Sequence, residues 1–228
     1  MLLGALLGAG ASLPFVGEAV AAIGVGVRIS VGDADRGGLL ATRARVCADE
    51  EDAPRRTWRE VRALLAAAEL PEEVRGRALA AFAALADAEG RVHGSDPETV
   101  HFHEVGAHDA IGDVVGVCAA LASLDLDRLV ASPVSVGGGT VRSGHGTLPV
   151  PAPAVVLLLR GIPAVGGPVD VELCTPTGAA LLRVLVDAWG PMPAMTVGEV
   201  GVGAGARELP DRANVVRLVL GEAPAGAA

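Results

Sequence analysis

Apolar residues recur at Leu2, Leu3, Leu6 and Leu7, the spacing of one helix face. Pro14 suits the opening of a second helix, which the pattern carries to about Ile23-Gly24. Apolar and polar positions then alternate from Val25 to Val31. Gly32 to Gly38 reads as a loop, and Leu39 to Cys47 alternates again, so two strands of a small sheet are predicted. Thr57 and Glu60 have the spacing of a capping box, and Val61, Leu64, Leu65 and Ala68 give the helix behind them one apolar face. Pro71 suits the first position of another helix, running to about Glu89 with Val74, Ala78, Phe82 and Leu85 inward. Residues 54–90 therefore predict a helical hairpin.

The second half alternates strands with helices. His101 to Val105 reads as extended, and Asp109 opens a helix to about Leu124. Leu129 to Val136 reads as a strand followed by a long Gly-rich loop. Pro151 to Arg160 and Thr175 to Trp189 look helical. Val197 to Val202 and Asn214 to Leu220 read as closing strands. The order predicts a mixed α/β (α+β) fold, a mixed sheet packed with helices. It divides into 1–94 (N-terminal helices, small sheet and helical hairpin), 95–221 (an α/β part that binds metal and ligand) and a disordered tail at 222–228. The first helix begins at Met1 with no cap and no strand leading into it. It is expected to pack on the sheet beside a vacant edge, as in a chain truncated at its front.

Composition narrows the chemistry. The 228 residues carry a net charge of −9 and no Lys, which removes a phosphate-loop Lys and a Schiff-base Lys. Tyr is absent and only three Phe and two Trp are present, so nucleic-acid binding by charge or stacking is not expected. Three Cys without a C-x-x-C suggest a reducing compartment, hence the cytoplasm. No apolar run has the length of a membrane span. The first 17 residues are uncharged, but the first Arg is Arg28; a signal peptide would want a basic residue ahead of its apolar core, so a buried helix is preferred.

The segment His101 to Asp113, HFHEVGAHDAIGD, holds three imidazoles and three carboxylates. On a strand His101 and His103 share a face, and on a helix Asp109 and Asp113 do. With Glu104 and His108 between them, the set suits a borderline divalent ion such as nickel, zinc or manganese. Asp109 also fits a plain helix N-cap, and His101 and His103 fit hydrogen-bonded core positions. Thr175-Pro176-Thr177-Gly178 heads an apolar helix, where free amides at Thr177 and Gly178 would bind phosphate or carboxylate; the same residues also make an ordinary cap. Two Gly-rich stretches, one carrying Arg142 and His145 and the other preceding Arg207, read either as an anion clamp or as generic turns. Neither has the dinucleotide-binding pattern. Cys174 is either a soft ligand or, more ordinarily, a small buried residue. No catalytic residue stands out.

Taken together, AEGRVHG (88–94), VHFHEVGAHDAIGDVVG (100–116), SVGGGTVRSGHGTLPVPAPA (135–154), CTPTGAALL (174–182) and GVGAGARELPDRANVVR (201–217) resemble the nickel-insertion proteins that mature the nickel-pincer cofactor of lactate racemase. The resemblance covers nearly the whole chain, in order. It implies insertion of Ni2+ into pyridinium-3,5-bisthiocarboxylic acid mononucleotide, with a carbon–nickel bond formed between two sulfur ligands. It also implies a lyase-class nickel chelatase activity that consumes CTP, with Mg2+ or Mn2+. Relatives of this kind usually begin with a strand and a Gly-Ser-Gly-like turn and carry a C-terminal domain associated with CTP. The expectation is therefore a partner chain supplying that domain, and delivery of the product to lactate racemase. A nickel-binding chaperone or store without catalysis is the second expectation. A metallohydrolase using Glu104 as base is the third.

Overall fold

A computed structural model describes residues 1–48, 56–102, 108–144, 146–167 and 169–224. The first helix, α1 (Leu2–Gly8), is followed by α2 (Leu13–Ala21), where Ser12 caps by accepting the Phe15 amide. Strands β1 (Val27–Arg36) and β2 (Leu39–Ala48) form an antiparallel hairpin. The predicted loop at Gly32–Gly38 is mostly strand: β1 runs to Arg36, and the turn is Gly37-Gly38 alone. Both glycines have positive φ, 62° and 82°, which is the backbone a two-residue hairpin turn demands. Gly32, Asp33 and Asp35 are weak strand formers, and pairing with β2 overrides that preference.

The helical hairpin is α3 (Trp58–Ala67) and α4 (Glu72–His93). The Thr57–Glu60 capping box is complete: the Thr57 amide donates to Glu60 Oε2 at 2.7 Å and the Glu60 amide to Thr57 Oγ1 at 3.3 Å. Pro71 is the N-cap of α4 rather than its first residue. The helix continues one turn past Glu89, closing at Gly94 in the left-handed region. After α5 (His108–Ser123), the expected strand over 129–136 splits into β3 (Val130–Ala131) and β4 (Val134–Ser135), with Pro133 lying between them. The expected Gly-rich loop contains a hairpin, β5 (Thr140–Ser143) and β6 (Gly146–Pro149). Helix α6 (Pro153–Leu158) is shorter than expected, and β7 (Ala164–Val165) pairs with β4. Helix α7 (Pro176–Leu185) stops at Val186, whose ψ of 122° is extended, so that β8 (Ala188–Trp189) can pair with β3.

Strands β9 (Thr196–Ala204) and β10 (Val215–Glu222) form a second long hairpin. The two long hairpins make one mixed four-stranded sheet in the order β1-β2-β9-β10, joined through the parallel pair Thr42–Gly203. Gly201 and Gly203 are thus strand residues, not a loop. A Cβ at Gly201 would collide with the Ala5 carbonyl, and one at Gly203 with that of Met1, so these glycines exist to let α1 lie backbone-to-backbone on the sheet. One apolar core lies between the helices and this sheet, with Val16, Val61, Phe82, Phe102, Ile111 and Val115 at its centre. Phe82 and Phe102 meet with ring centroids 5.9 Å apart. Each such side chain contributes about 1.5–3 kcal/mol by burial. Among the described residues no helix is long and apolar enough to cross a membrane.

Candidate functional site

Helix α5 is the element that positions the predicted metal ligands. It is apolar on most of its surface, and Gly112 and Gly116 let it approach Val46 and Leu3 closely. That packing fixes which way its first turns point. His108 opens the helix and is buried, at 6% exposure. Asp109 is exposed and accepts the Ala110 amide at 2.9 Å. Asp113 follows one turn later on the same face. Crowding by surrounding protein raises the Asp113 carboxyl to about 6; the Met1 amino group opposes the shift and the Asp109 charge adds to it. The side chain also reaches water.

His101 lies elsewhere on the chain path. It is exposed and forms an isolated antiparallel bridge with Thr57, at the start of α3. There it helps the Thr57 hydrogen bonds hold the Glu60 carboxyl below its usual range, the backbone bond being the largest cause. His103, Glu104 and His145 lie outside the described residues. Among the described residues no three His, Cys, Asp or Glu come together as a metal-holding group. The structure thus brings His108, Asp109 and Asp113 onto one helix start and leaves His101 beside Thr57 at the start of α3.

The Thr175 turn closes on itself. Thr175 Oγ1 accepts the Gly178 amide at 3.2 Å, and Pro176 has no amide to offer. A Cβ at Gly178 would meet Thr175 Oγ1 at 3.4 Å, an ordinary contact, so nothing internal requires glycine there. Cys174 is buried, and burial, then the Glu172 charge, pushes its thiol up to about 12, so it stands as a protonated thiol in the core. Arg142 is exposed on β5, opposite Thr147. Arg207 is exposed in the loop after β9, and its carbonyl accepts from Asn214 Nδ2 at 3.0 Å. The Gly137–Gly139 run has a packing role: a Cβ at Gly137 would strike the Val171 carbonyl.

No motif singles out Arg36, yet it is buried at 7% exposure and donates from Nε to the Gly205 carbonyl at 2.9 Å. It ties the β1–β2 hairpin to the loop that carries Arg207. Its place beside the Gly-Gly turn is the one local hint. A recess of about 110 Å³ between α4, α6 and α7 is lined by Asp87, Arg91, Arg160 and Arg183, and contains none of the candidate residues.

The profile of the family described as "Nickel insertion protein" matches residues 1–228. A pyridinium-3,5-bisthiocarboxylic acid mononucleotide nickel insertion protein of Nocardioides sp. (strain ATCC BAA-499 / JS614) is 53% identical over 222 residues, covering 97% of this chain and 56% of that protein. One of the same name from Geobacillus kaustophilus (strain HTA426) is 44% identical over 167 residues, covering 73% of this chain and 41% of that protein. The chain spans about half the length of these relatives. No solved structure matches it. With the whole chain matched, and with the His and Asp cluster at the start of α5 within the match, the chain belongs to the nickel insertion protein family.

Proposed function

We propose that this chain supplies the nickel-holding and substrate-holding part of a nickel insertion protein acting on pyridinium-3,5-bisthiocarboxylic acid mononucleotide. The observation that supports it is the start of α5, where His108, Asp109 and Asp113 share two turns of a helix buried on its other sides. In this reading His101, His103, Glu104, His108, Asp109 and Asp113 hold nickel as cargo. Imidazole and carboxylate grip a borderline ion less firmly than sulfur does, so transfer runs toward the two thiocarboxylates of the substrate. The raised Asp113 carboxyl fits a ligand that is released easily, because protonation competes with the metal near its pKa.

The substrate's anionic groups are taken by the Thr175–Gly178 turn, with the Thr177 amide still available, and by Arg142, His145 and Arg207. CTP, with Mg2+ or Mn2+, drives the lyase-class insertion. The finished cofactor passes to lactate racemase in the cytoplasm. A second reading is a nickel carrier with no chemistry of its own, favoured by the start of α5, whose His and Asp side chains suffice to hold an ion without any further group.

One experiment separates the two. The purified chain is loaded with nickel and mixed with the pyridinium mononucleotide, with and without CTP, and the nickel-bound product is followed by its absorbance and mass. Product formed by the chain with CTP supports insertion. Tight nickel binding without product supports the carrier, and absence of nickel binding defeats both.

A further inference from the structure

Helix α4 packs against both α6 and α7, and where the three meet a recess of about 110 Å³ is left at the surface. Its floor is apolar, from Ala84 and Ala88 of α4 and Leu158 of α6. Its walls are charged: Asp87 and Arg91 from α4, Arg160 just past the end of α6, and Arg183 from the last turn of α7. Positions 84, 87, 88 and 91 are three and four apart, so one stripe of α4 carries both the small residues of the floor and two of the charges above it. Three guanidiniums thus meet one carboxylate, against the trend of a chain whose net charge is −9.

Internal partners use only part of this donor capacity. Asp87 accepts from Arg91 Nε, at 3.2 Å to Oδ1 and 3.1 Å to Oδ2, and the two Nη groups of Arg91 keep no partner among the described residues. Arg183 is held from behind. Its Nη1 donates to the Leu158 carbonyl at 2.9 Å and to the Arg160 carbonyl at 3.2 Å, which closes the end of α6. That contact fixes the guanidinium at the recess and leaves Nε and Nη2 unspent. The Arg160 side chain makes no hydrogen bond or ion pair among the described residues. One carboxylate does not balance three cations gathered around one small space, and an added anion would.

We propose that this recess binds a small oxyanion of the phosphate class between Arg91, Arg160 and Arg183. A carboxylate is planar and is satisfied by a single guanidinium fork. Donors arriving from three separate elements suit an anion with oxygens on several sides. The space is large enough for such a group rather than for one water, and the remainder of any ester would lie outside it. The site is distinct from the anion turn proposed at Thr175, since Arg183 stands at the other end of α7. It contains none of the residues proposed to hold nickel, so it stands whether or not the chain carries that ion.

The test is calorimetry on the 228-residue chain at low ionic strength, with inorganic phosphate and, separately, nicotinic acid mononucleotide as a phosphate monoester. Arg91→Gln/Arg160→Gln should weaken phosphate binding about tenfold or more. Asp87→Asn should tighten it, because the one competing carboxylate is gone. Arg59→Gln/Arg128→Gln removes the same charge at exposed positions outside the recess and should change affinity by less than about twofold. Arg160→Gln alone, whose side chain has no partner to lose, keeps the test decisive should the pair fail to fold. Inorganic phosphate bound as tightly as the monoester marks the free ion as the ligand. A monoester bound more tightly, with the same loss in Arg91→Gln/Arg160→Gln, marks an ester; either result supports the site. The proposal is overturned if the parent binds neither probe, if the recess variants bind like the parent, or if Arg59→Gln/Arg128→Gln loses as much. Weaker phosphate binding by Asp87→Asn overturns it as well.

Discussion

Helices α5 and α7 both begin on a sequence that reads as a ligand site, and the structure treats the two beginnings differently. At α7 the Thr175 hydroxyl takes the Gly178 amide and Pro176 removes another donor, so much of the helix end is satisfied from within. At α5 the first two turns hold His108, Asp109 and Asp113, and the Asp113 carboxyl is raised by crowding and by the charge of Asp109. A capped helix end spends its donors on stability. A helix start that carries like charges on one face stores unfavourable electrostatics, which a bound cation relieves.

The largest effect expected from this contrast is on nickel. Asp109→Ala/Asp113→Ala should weaken Ni2+ binding by about tenfold or more in calorimetry, while Thr175→Ala should leave it unchanged. Equal losses in the two variants would erase the distinction. The next effect is on the substrate side. Gly178→Val should lower affinity for the pyridinium mononucleotide several-fold at an unaltered melting temperature, because the added Cβ meets only ordinary contacts inside the protein. Unaltered binding would reduce the α7 turn to a cap.

The pH dependence sharpens the α5 side. Asp113 has a folded pKa of about 6 against 3.8 for the free group. The folded state therefore binds more protons in that window, and its stability falls as pH rises from about 4 to about 6. Asp113→Asn should flatten that part of the stability curve in denaturant melts at successive pH values. Nickel affinity should run the opposite way, weakening as pH drops through about 6, where Asp113 takes up its proton. The smallest effect is the cap itself: Thr175→Ala should cost about 1 kcal/mol, read as a modest fall in melting temperature.

How far the sequence could be read differs between kinds of feature. The Thr57–Glu60 box and the inward stripe of α4 are legible because each depends on residues three or four apart. Asp109 and Asp113 sharing a face follows from the same short spacing. The grouping of His101 with His108 does not, since a bridge to Thr57 fixes the backbone at His101 while packing of α5 fixes His108. The break at Pro133 and the end of α7 at Val186 were equally hidden. Both follow from parallel pairing with strands 30 to 60 residues away in the chain.

By itself, then, the sequence determined the local elements, the helix ends and the residue types available for metal and anion chemistry, because those depend on propensities and contacts within a turn or two. Only the tertiary structure decided that Gly201 and Gly203 are seats for α1 rather than a ligand loop. It also decided that Cys174 is a buried thiol, and that four arginines share one face of a hairpin. Those outcomes depend on which distant backbone comes to lie alongside, as Gly205 does against Arg36 across 169 positions. No local pattern specifies such a neighbour; the joint packing of the whole core selects it.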